Sequence, residues 1–497
     1  MTSGPATAAG ERLRVVIAGA GIAGLACAHR FLAVARERSV PLELTVLEAA
    51  DRAGGVIVTE RIDGCLVEGG PDCFVSDRPW GIDLCRRAGL ADEIVGTGQQ
   101  HRRSFILRSG RLLPIPEGYQ LLAPSRLLPF AATRILGVAG KLRAACDLVL
   151  PRGPAVEDES LASFVRRRFG RETLERLAQP LLAGIYNADP ESLSLRATMP
   201  RFLELERLHR SVILGLMQAR RRAPAPARTG VSGARYSLFV TIRSGLQTLT
   251  DRLATTLPTG ALRLGAQVAR LDPGDRIAEG GQAGGAAGRW RVTTYRGDSF
   301  AADAVVLAMP ACAAALLVRP FDPDLGGLLA ELRYGGAATV SVAYRRADVP
   351  HPLDGFGFVV PRCEGRRLVA CSFSHVKFPD RAPEGIVLLR AFLDGRTAGE
   401  SGAPDLERIV RDELRDILGI TAPPRFVRSF VYPRSMAQYE VGHLAKVAAI
   451  EAGAARHAGF ALAGNGLRGV GLPDCARSGE AAADGILARA GVVSLAP

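Results

Sequence analysis

Lysine is almost missing from this chain. Only Lys141, Lys377 and Lys446 occur among its 63 basic residues, and the other 60 are arginines. Most of that bias is compositional, although arginine forks also suit carboxylates and phosphates. Aromatic residues are scarce too, at 6%, which argues against an aromatic RNA-binding platform. No zinc-finger or helix-turn-helix pattern occurs, so the net charge of +13 does not point to nucleic acid. No two of the nine cysteines form a C-x-x-C pair, and their number is odd. A disulfide framework and a structural zinc site are therefore not expected, and the seven histidines show no ligand spacing that would suggest another metal. No apolar run reaches membrane-spanning length. Residues 131–150 come closest, and Arg134, Lys141, Arg143 and Asp147 interrupt them. Residues 1–12 lack the charged start and apolar core of a signal peptide and read as a loose tail, so a cytoplasmic location is expected.

The 497 residues, 47% of them hydrophobic, suffice for several structural units with a large core. Residues 14–18 form a short apolar run suited to a buried parallel strand, followed by Gly19-Ala20-Gly21-Ile22-Ala23-Gly24. Helical character follows at 25–38, a second strand at 42–47, and then Glu48. This is a βαβ unit with a dinucleotide fingerprint. Gly19 permits the tight turn, Gly21 lets backbone approach a pyrophosphate, and Gly24 lets helix and strand pack closely. Glu48 stands where an acid binds ribose hydroxyls. Arg52 and the pair Gly54-Gly55, followed by Val56, give a loop able to pass near a cofactor. Gly69, Gly70, Pro71, Asp72 and Cys73 give a second such crossing. The two together favour FAD over NAD.

Residues 80–222 read as mostly helical, with helices at 160–169, 172–181 and 200–220, and a Pro-rich linker at 222–230. A helix is expected at 246–257, strands at 262–268 and 290–295, and a Gly-rich loop at 272–288. A buried strand at 304–310 precedes four strands of one antiparallel sheet at 337–344, 356–360, 368–373 and 386–393. A helix at 405–418, a strand entering a glycine loop at 460–465 and a helix from Pro473 complete the pattern. The fold class is α/β: a discontinuous Rossmann-like FAD domain (12–92, 233–312, 440–493) with a helical module (93–232) and an antiparallel-sheet module (313–439) inserted.

The motifs EGGPDCF (68–74), QPLLAGIYN (179–187), FPDRAP (378–383), QYEVGH (438–443) and GNGLRGVGLPDC (464–475) resemble those of flavin-dependent porphyrinogen oxidases of haem synthesis. These enzymes lie within the monoamine-oxidase and phytoene-desaturase superfamily. The resemblance spans residues 14 to about 488. It implies that the helical module faces substrate and membrane and that the antiparallel-sheet module is a substrate domain. It implies further that Gly19 to Gly24 and Glu48 hold the ADP half of FAD, and that the backbone of Val268 meets adenine. It also implies that Gly70 to Cys73 lie beside the flavin, with Asn465, Val470, Gly471 and Leu472 around the ribityl chain and pyrimidine edge. The implied reaction is six-electron oxidation of protoporphyrinogen IX or coproporphyrinogen III by oxygen, with hydrogen peroxide as by-product. The implied partners are the porphyrinogen, oxygen and other haem-pathway enzymes.

For the substrate, Phe392 resembles a ring-packing position, Phe358 is a second slot candidate, and Arg102 or Arg103 would pair with a propionate. His443, Cys73 and Cys475 read as structural residues, and Arg78 stands where relatives carry lysine. No catalytic acid or base is evident. The apolar, basic stretch 112–152 suggests a peripheral lipid contact. The competing enzyme reading is an amine oxidase or carotenoid desaturase on the same flavin fold; the non-enzymatic one is a porphyrin-binding scaffold.

Overall fold

The computed structural model describes residues 12–154, 156–222, 239–274, 289–400 and 402–492. Residues 1–11 of the expected tail, residues 223–230 of the Pro-rich linker and residues 275–288 of the Gly-rich loop lie outside the described residues. In chain order, the strands that position the site are β1 (Leu13–Ala18), β2 (Leu42–Leu47), β3 (Phe105–Arg108), β4 (Arg111–Pro114), β5 (Leu262–Arg263), β6 (Ala304–Leu307), β7 (Tyr334–Arg345), β8 (Gly357–Val359), β9 (Leu368–Phe373), β10 (Ile386–Asp394), β11 (Phe426–Ala437) and β12 (Phe460–Leu462). The helices that matter most are α1 (Ile22–Arg38), α2 (Ala403–Leu418) and α3 (Leu472–Arg489).

A five-stranded sheet runs in the order β5-β2-β1-β6-β12, with every neighbour parallel. Its strands come from three distant stretches of chain. Parallel strands need both faces covered, and the apolar run of β1 meets that need. Val15 and Ile17 pack into the core that contains α1 and α3, while Val16 and Ala18 pack into a second core on the opposite face.

The larger sheet has seven strands in the order β11-β7-β10-β9-β8-β3-β4. It is antiparallel except where β3 lies parallel to β8. One face is closed by α2, whose Leu406, Ile409, Val410, Leu414 and Ile417 recur at three- and four-residue spacing and form a single apolar stripe. The other face looks toward the parallel-sheet half and the helical module. That module has its own core, drawn largely from helices Leu161–Phe169, Gln179–Tyr186, Pro200–His209 and Val212–Arg222.

Four sequence expectations need correction. Residues 105–114 are not part of a helical module: β3 and β4 form a hairpin on the edge of the large sheet. Their pairing partner β8 lies about 250 residues away, which no local period reveals. The expected strand 262–268 divides into β5 in the parallel sheet and Val268–Pro273 in a separate three-stranded sheet. The expected helix 200–220 breaks at Arg210, which has φ +65°, and Ser211 restarts it by accepting a hydrogen bond from Leu214 N at 3.1 Å. The long strand β11 was not expected from the sequence.

Candidate active site

The fingerprint turn is built by close approach. A Cβ on Gly19, which has φ +107°, would stand 2.3 Å from Ala308 O, and one on Gly24 would stand 1.9 Å from Gly19 O. Gly21 differs, because nothing lies within 4 Å of its missing Cβ. Helix α1 starts here without a side-chain cap, and its first intrahelical bond runs from Leu25 N to Gly21 O at 3.0 Å. Free amides at the positive end of a 17-residue helix, beside open space, suit a pyrophosphate. On this observation the residues fit a dinucleotide cofactor.

Glu48 is oriented by backbone: Oε2 accepts from Ala20 N at 2.7 Å and Oε1 from Ala50 N at 2.9 Å. Each oxygen keeps a lone pair for a ribose hydroxyl. Arg52 donates to Ala53 O and Ile57 O, both at 3.0 Å, and to Gly55 O. It therefore shapes the loop and spends its donors there. Val56 is exposed, and its carbonyl lies 1.8 Å from where a Cβ on Gly70 would be. The two glycine loops, 52–56 and 69–73, thus touch at Val56 and Gly70. Val268 is buried beside this end, reached through Ala266 N, which donates to Glu48 O at 2.7 Å.

The loop from Gly69 to Cys73 is held from the large sheet. Thr339 Oγ1 on β7 donates to Gly69 O at 2.8 Å. Arg390 on β10 donates to Gly69 O at 3.3 Å and to Gly70 O. Lys377 Nζ donates to Asp72 Oδ2 at 2.7 Å and lies 3.4 Å from Cys73 Sγ. Burial pushes the Asp72 carboxyl up, but the charges of Lys377 and Arg390 outweigh burial, and the net shift is downward. Burial would lower Lys377, and Asp72 reverses that, so the ammonium is held charged. The Cys73 thiol is pushed up to about 12 by burial and by Asp72, and stays neutral. Cys475 is likewise pushed up to about 12, by burial first. Neither cysteine is primed as a nucleophile.

The closing glycine loop is fixed by Tyr439. Its hydroxyl donates to Asn465 O at 2.8 Å and accepts from Gly469 N at 2.6 Å. His443 stacks on the Tyr439 ring, with centroids 3.8 Å apart, and its Nε2 bonds Leu467 O at 2.8 Å. Asn465 Nδ2 donates to Ser435 O at 2.8 Å, tying this loop to β11. Val470 packs against the helical module's core, and Gly471 is the N-cap of α3, where Leu472 is buried. Asp474 accepts from Gly471 N at 3.3 Å and pairs with Arg78. The guanidinium of Arg78 therefore supports the start of α3.

Phe392 is half-buried on β10, on the same face as Arg390 and opposite Thr339. It lies beside the Arg390 guanidinium, on the side of the sheet that holds the Gly69–Cys73 loop. Phe358 does not. It is buried under α2 against Phe373, with centroids 6.1 Å apart, on the opposite face of the sheet. The physical reason is strand parity: on β8 it is Val359 that faces the helical module. Arg103 is spent on Asp354, through an ion pair and a bond to its carbonyl at 2.8 Å. Arg102 lies nearer the loop, donating to Gly98 O at 3.2 Å, while Gly98 N donates to Lys377 O at 2.9 Å. The sequence reading missed Arg390, Lys377, Thr339 and Tyr439. A lone buried-strand arginine at 390 and one of only three lysines at 377 were the available signals.

Comparison with known proteins identifies the family. The model of the flavin containing amine oxidoreductases matches residues 22–487. The chain is 34% identical to a coproporphyrinogen III oxidase of Bacillus subtilis, over 94% of this chain and 96% of that one. It is 32% identical to a coproporphyrinogen III oxidase of Propionibacterium freudenreichii, over 95% and 90%. A crystal structure of a protein from Exiguobacterium sp. 255-15, provisionally assigned as a protoporphyrinogen oxidase, superposes with TM-score 0.80 at 30% identity, covering 95% of this chain and 98% of that one. The chain belongs to the flavin containing amine oxidoreductase family and is, within it, an FAD-dependent porphyrinogen oxidase.

Proposed function

We propose that this chain oxidises coproporphyrinogen III to coproporphyrin III, with oxygen as terminal acceptor and hydrogen peroxide as by-product. The observation that carries the substrate choice is its likeness to the Bacillus and Propionibacterium coproporphyrinogen III oxidases over nearly its whole length. Bound FAD supplies the two-electron acceptor for each of the three oxidation steps. The chain's own residues position and shield. Gly19 to Gly24 and Glu48 seat the adenosine and pyrophosphate end, and Val268 lies beside the adenine. Gly70 to Cys73, Asn465 and Val470 to Leu472 surround the isoalloxazine and ribityl part.

Phe392 offers a ring to the apolar macrocycle, and Arg102 is the candidate for a propionate. Among the described residues of the Gly69–Cys73 loop none is poised as a base: Lys377 and Arg390 hold the Asp72 carboxyl well below the usual carboxylate range, which makes it a weak proton acceptor, and the Cys73 thiol is neutral. Protons released from the pyrrole nitrogens pass to water. Aerobic incubation of the FAD-loaded protein with coproporphyrinogen III tests this. Porphyrin fluorescence with three peroxides per porphyrin is expected, and amine turnover without porphyrin formation would contradict it.

A lipid contact of the helical module is part of the same proposal. Among the described residues no helix is long and apolar enough to cross a membrane. Leu128, Val138, Leu142 and Val149 are nonetheless strongly exposed, next to Arg134 and Lys141. Apolar side chains rimmed by cations suit an anionic membrane surface. The cytoplasmic face of such a membrane is the location this reading favours.

A further inference from the structure

The Gly69–Cys73 loop sits on an unusual ionic cluster. Asp72 faces two cations, Lys377 at 2.7 Å and Arg390 at 3.7 Å. Glu68, at the start of the same loop, faces Arg381 at 3.9 Å. The side chains of Arg381, Arg390 and Glu68 are 3% exposed or less, and those of Asp72 and Lys377 are 16% exposed. Three cations thus share two carboxylates, which leaves one positive charge uncompensated. A second observation points the same way. Arg390 Nε is one of two buried side-chain polar atoms without a partner among the described residues, so this guanidinium is desolvated without full compensation. A surplus buried charge of this kind calls for a negative group nearby.

We propose that the Asp72–Lys377–Arg390 cluster tunes the cofactor: its surplus positive charge stabilises the negative charge that the isoalloxazine gains on two-electron reduction. The proposal rests on the reading that FAD lies against Gly70 to Cys73. Fixed charges near a flavin shift its electron affinity, and in a site sheltered from water they act over several ångströms. Asp72 partly offsets the cluster, so the cluster has a built-in sign test.

The test is the sulfite affinity of the bound flavin, read from bleaching of its visible band, together with its midpoint potential. Lys377→Met removes a positive charge, and sulfite binding should weaken about tenfold or more with a lower potential. Asp72→Asn removes the offsetting negative charge, and sulfite binding should tighten with a higher potential. Lys377→Arg should stay near the parent protein. Opposite shifts support the proposal, because a structural role would move both variants the same way. Unchanged affinities, or shifts of the same sign, in FAD-loaded variants overturn it and leave the FAD reading intact. Should Lys377→Met fail to retain FAD, the Asp72→Asn arm decides: tightening supports the proposal, and no change or weakening overturns it. If the parent protein neither carries FAD nor takes it up, both the cofactor reading and this proposal fall.

Discussion

The guanidinium of Arg390 lies over the ring of Phe392, 4.7 Å from its centroid and two positions back on the same strand. Because Arg390 also holds the Gly69 and Gly70 carbonyls, the ring and the Gly69–Cys73 loop share one support.

Phe392 and Phe358 should therefore give opposite phenotypes. Phe392→Ala removes a half-buried ring from the loop-facing side of the sheet. It should lower kcat/KM by about ten- to a hundredfold, the cost of one lost aromatic contact, with little change in melting temperature. Phe358→Ala empties a core position under α2 and should cost about 3–5 kcal/mol of stability. The fraction that folds should keep its KM. Steady-state kinetics beside urea unfolding separates the two, and a Phe358 variant that alters KM without losing stability would refute the assignment of faces.

That pair also shows how far the sequence could be read. The Gly19–Gly24 turn, its flanking strands and Glu48 are local, spaced by one strand, one helix and one strand, so the pattern carries their geometry. Motif strings such as 464–475 likewise placed the closing loop beside α3. What stayed hidden depends on pairing over long separations. Phe358 and Phe392 both read as aromatics on apolar strands, and only the register of β8, β9 and β10 assigns them to opposite faces. Lys377 meets Asp72 across 305 residues, and β3 meets β8 across about 250, for which no local period exists. Strand β11 is interrupted by Pro433 and carries Arg428 and Arg434, a polar pattern suited to a sheet edge, so its alternation is weak.

Tyr439→Phe should loosen the closing loop. It leaves the Gly469 amide and the Asn465 carbonyl without their shared partner, a loss of about 1–3 kcal/mol for partly buried groups. Faster FAD release in a gel-filtration or fluorescence assay is expected. Unchanged FAD retention would show that the loop does not depend on this hydroxyl.

Stability should fall in mild acid. His29, His351, His375 and His443 all titrate below the ordinary histidine range, because burial disfavours their cations. The unfolded chain then binds more protons than the folded one below about pH 6.5, so stability is complete above that value and declines as pH drops toward the folded-state values. Urea midpoints at about pH 7.5 and about pH 5.5 check the sign, and a midpoint that is flat or higher in acid contradicts it.

The exposed residues Leu128 and Val138 give a lipid test. The parent protein should sediment with anionic vesicles, less so in high salt, and a Leu128→Glu, Val138→Glu double variant should remain in the supernatant with its turnover of dissolved substrate intact. Full recovery of the parent protein in the supernatant at low salt would refute the contact.

The central claim is tested most directly by comparing two substrates on one flavoprotein preparation. Purified, FAD-loaded protein is given coproporphyrinogen III and protoporphyrinogen IX in parallel, and kcat/KM is read from porphyrin fluorescence. The account predicts turnover of both to flat porphyrins, with coproporphyrinogen III preferred by about tenfold or more. A preference for protoporphyrinogen IX would contradict the substrate assignment, and failure to oxidise either would contradict the account as a whole.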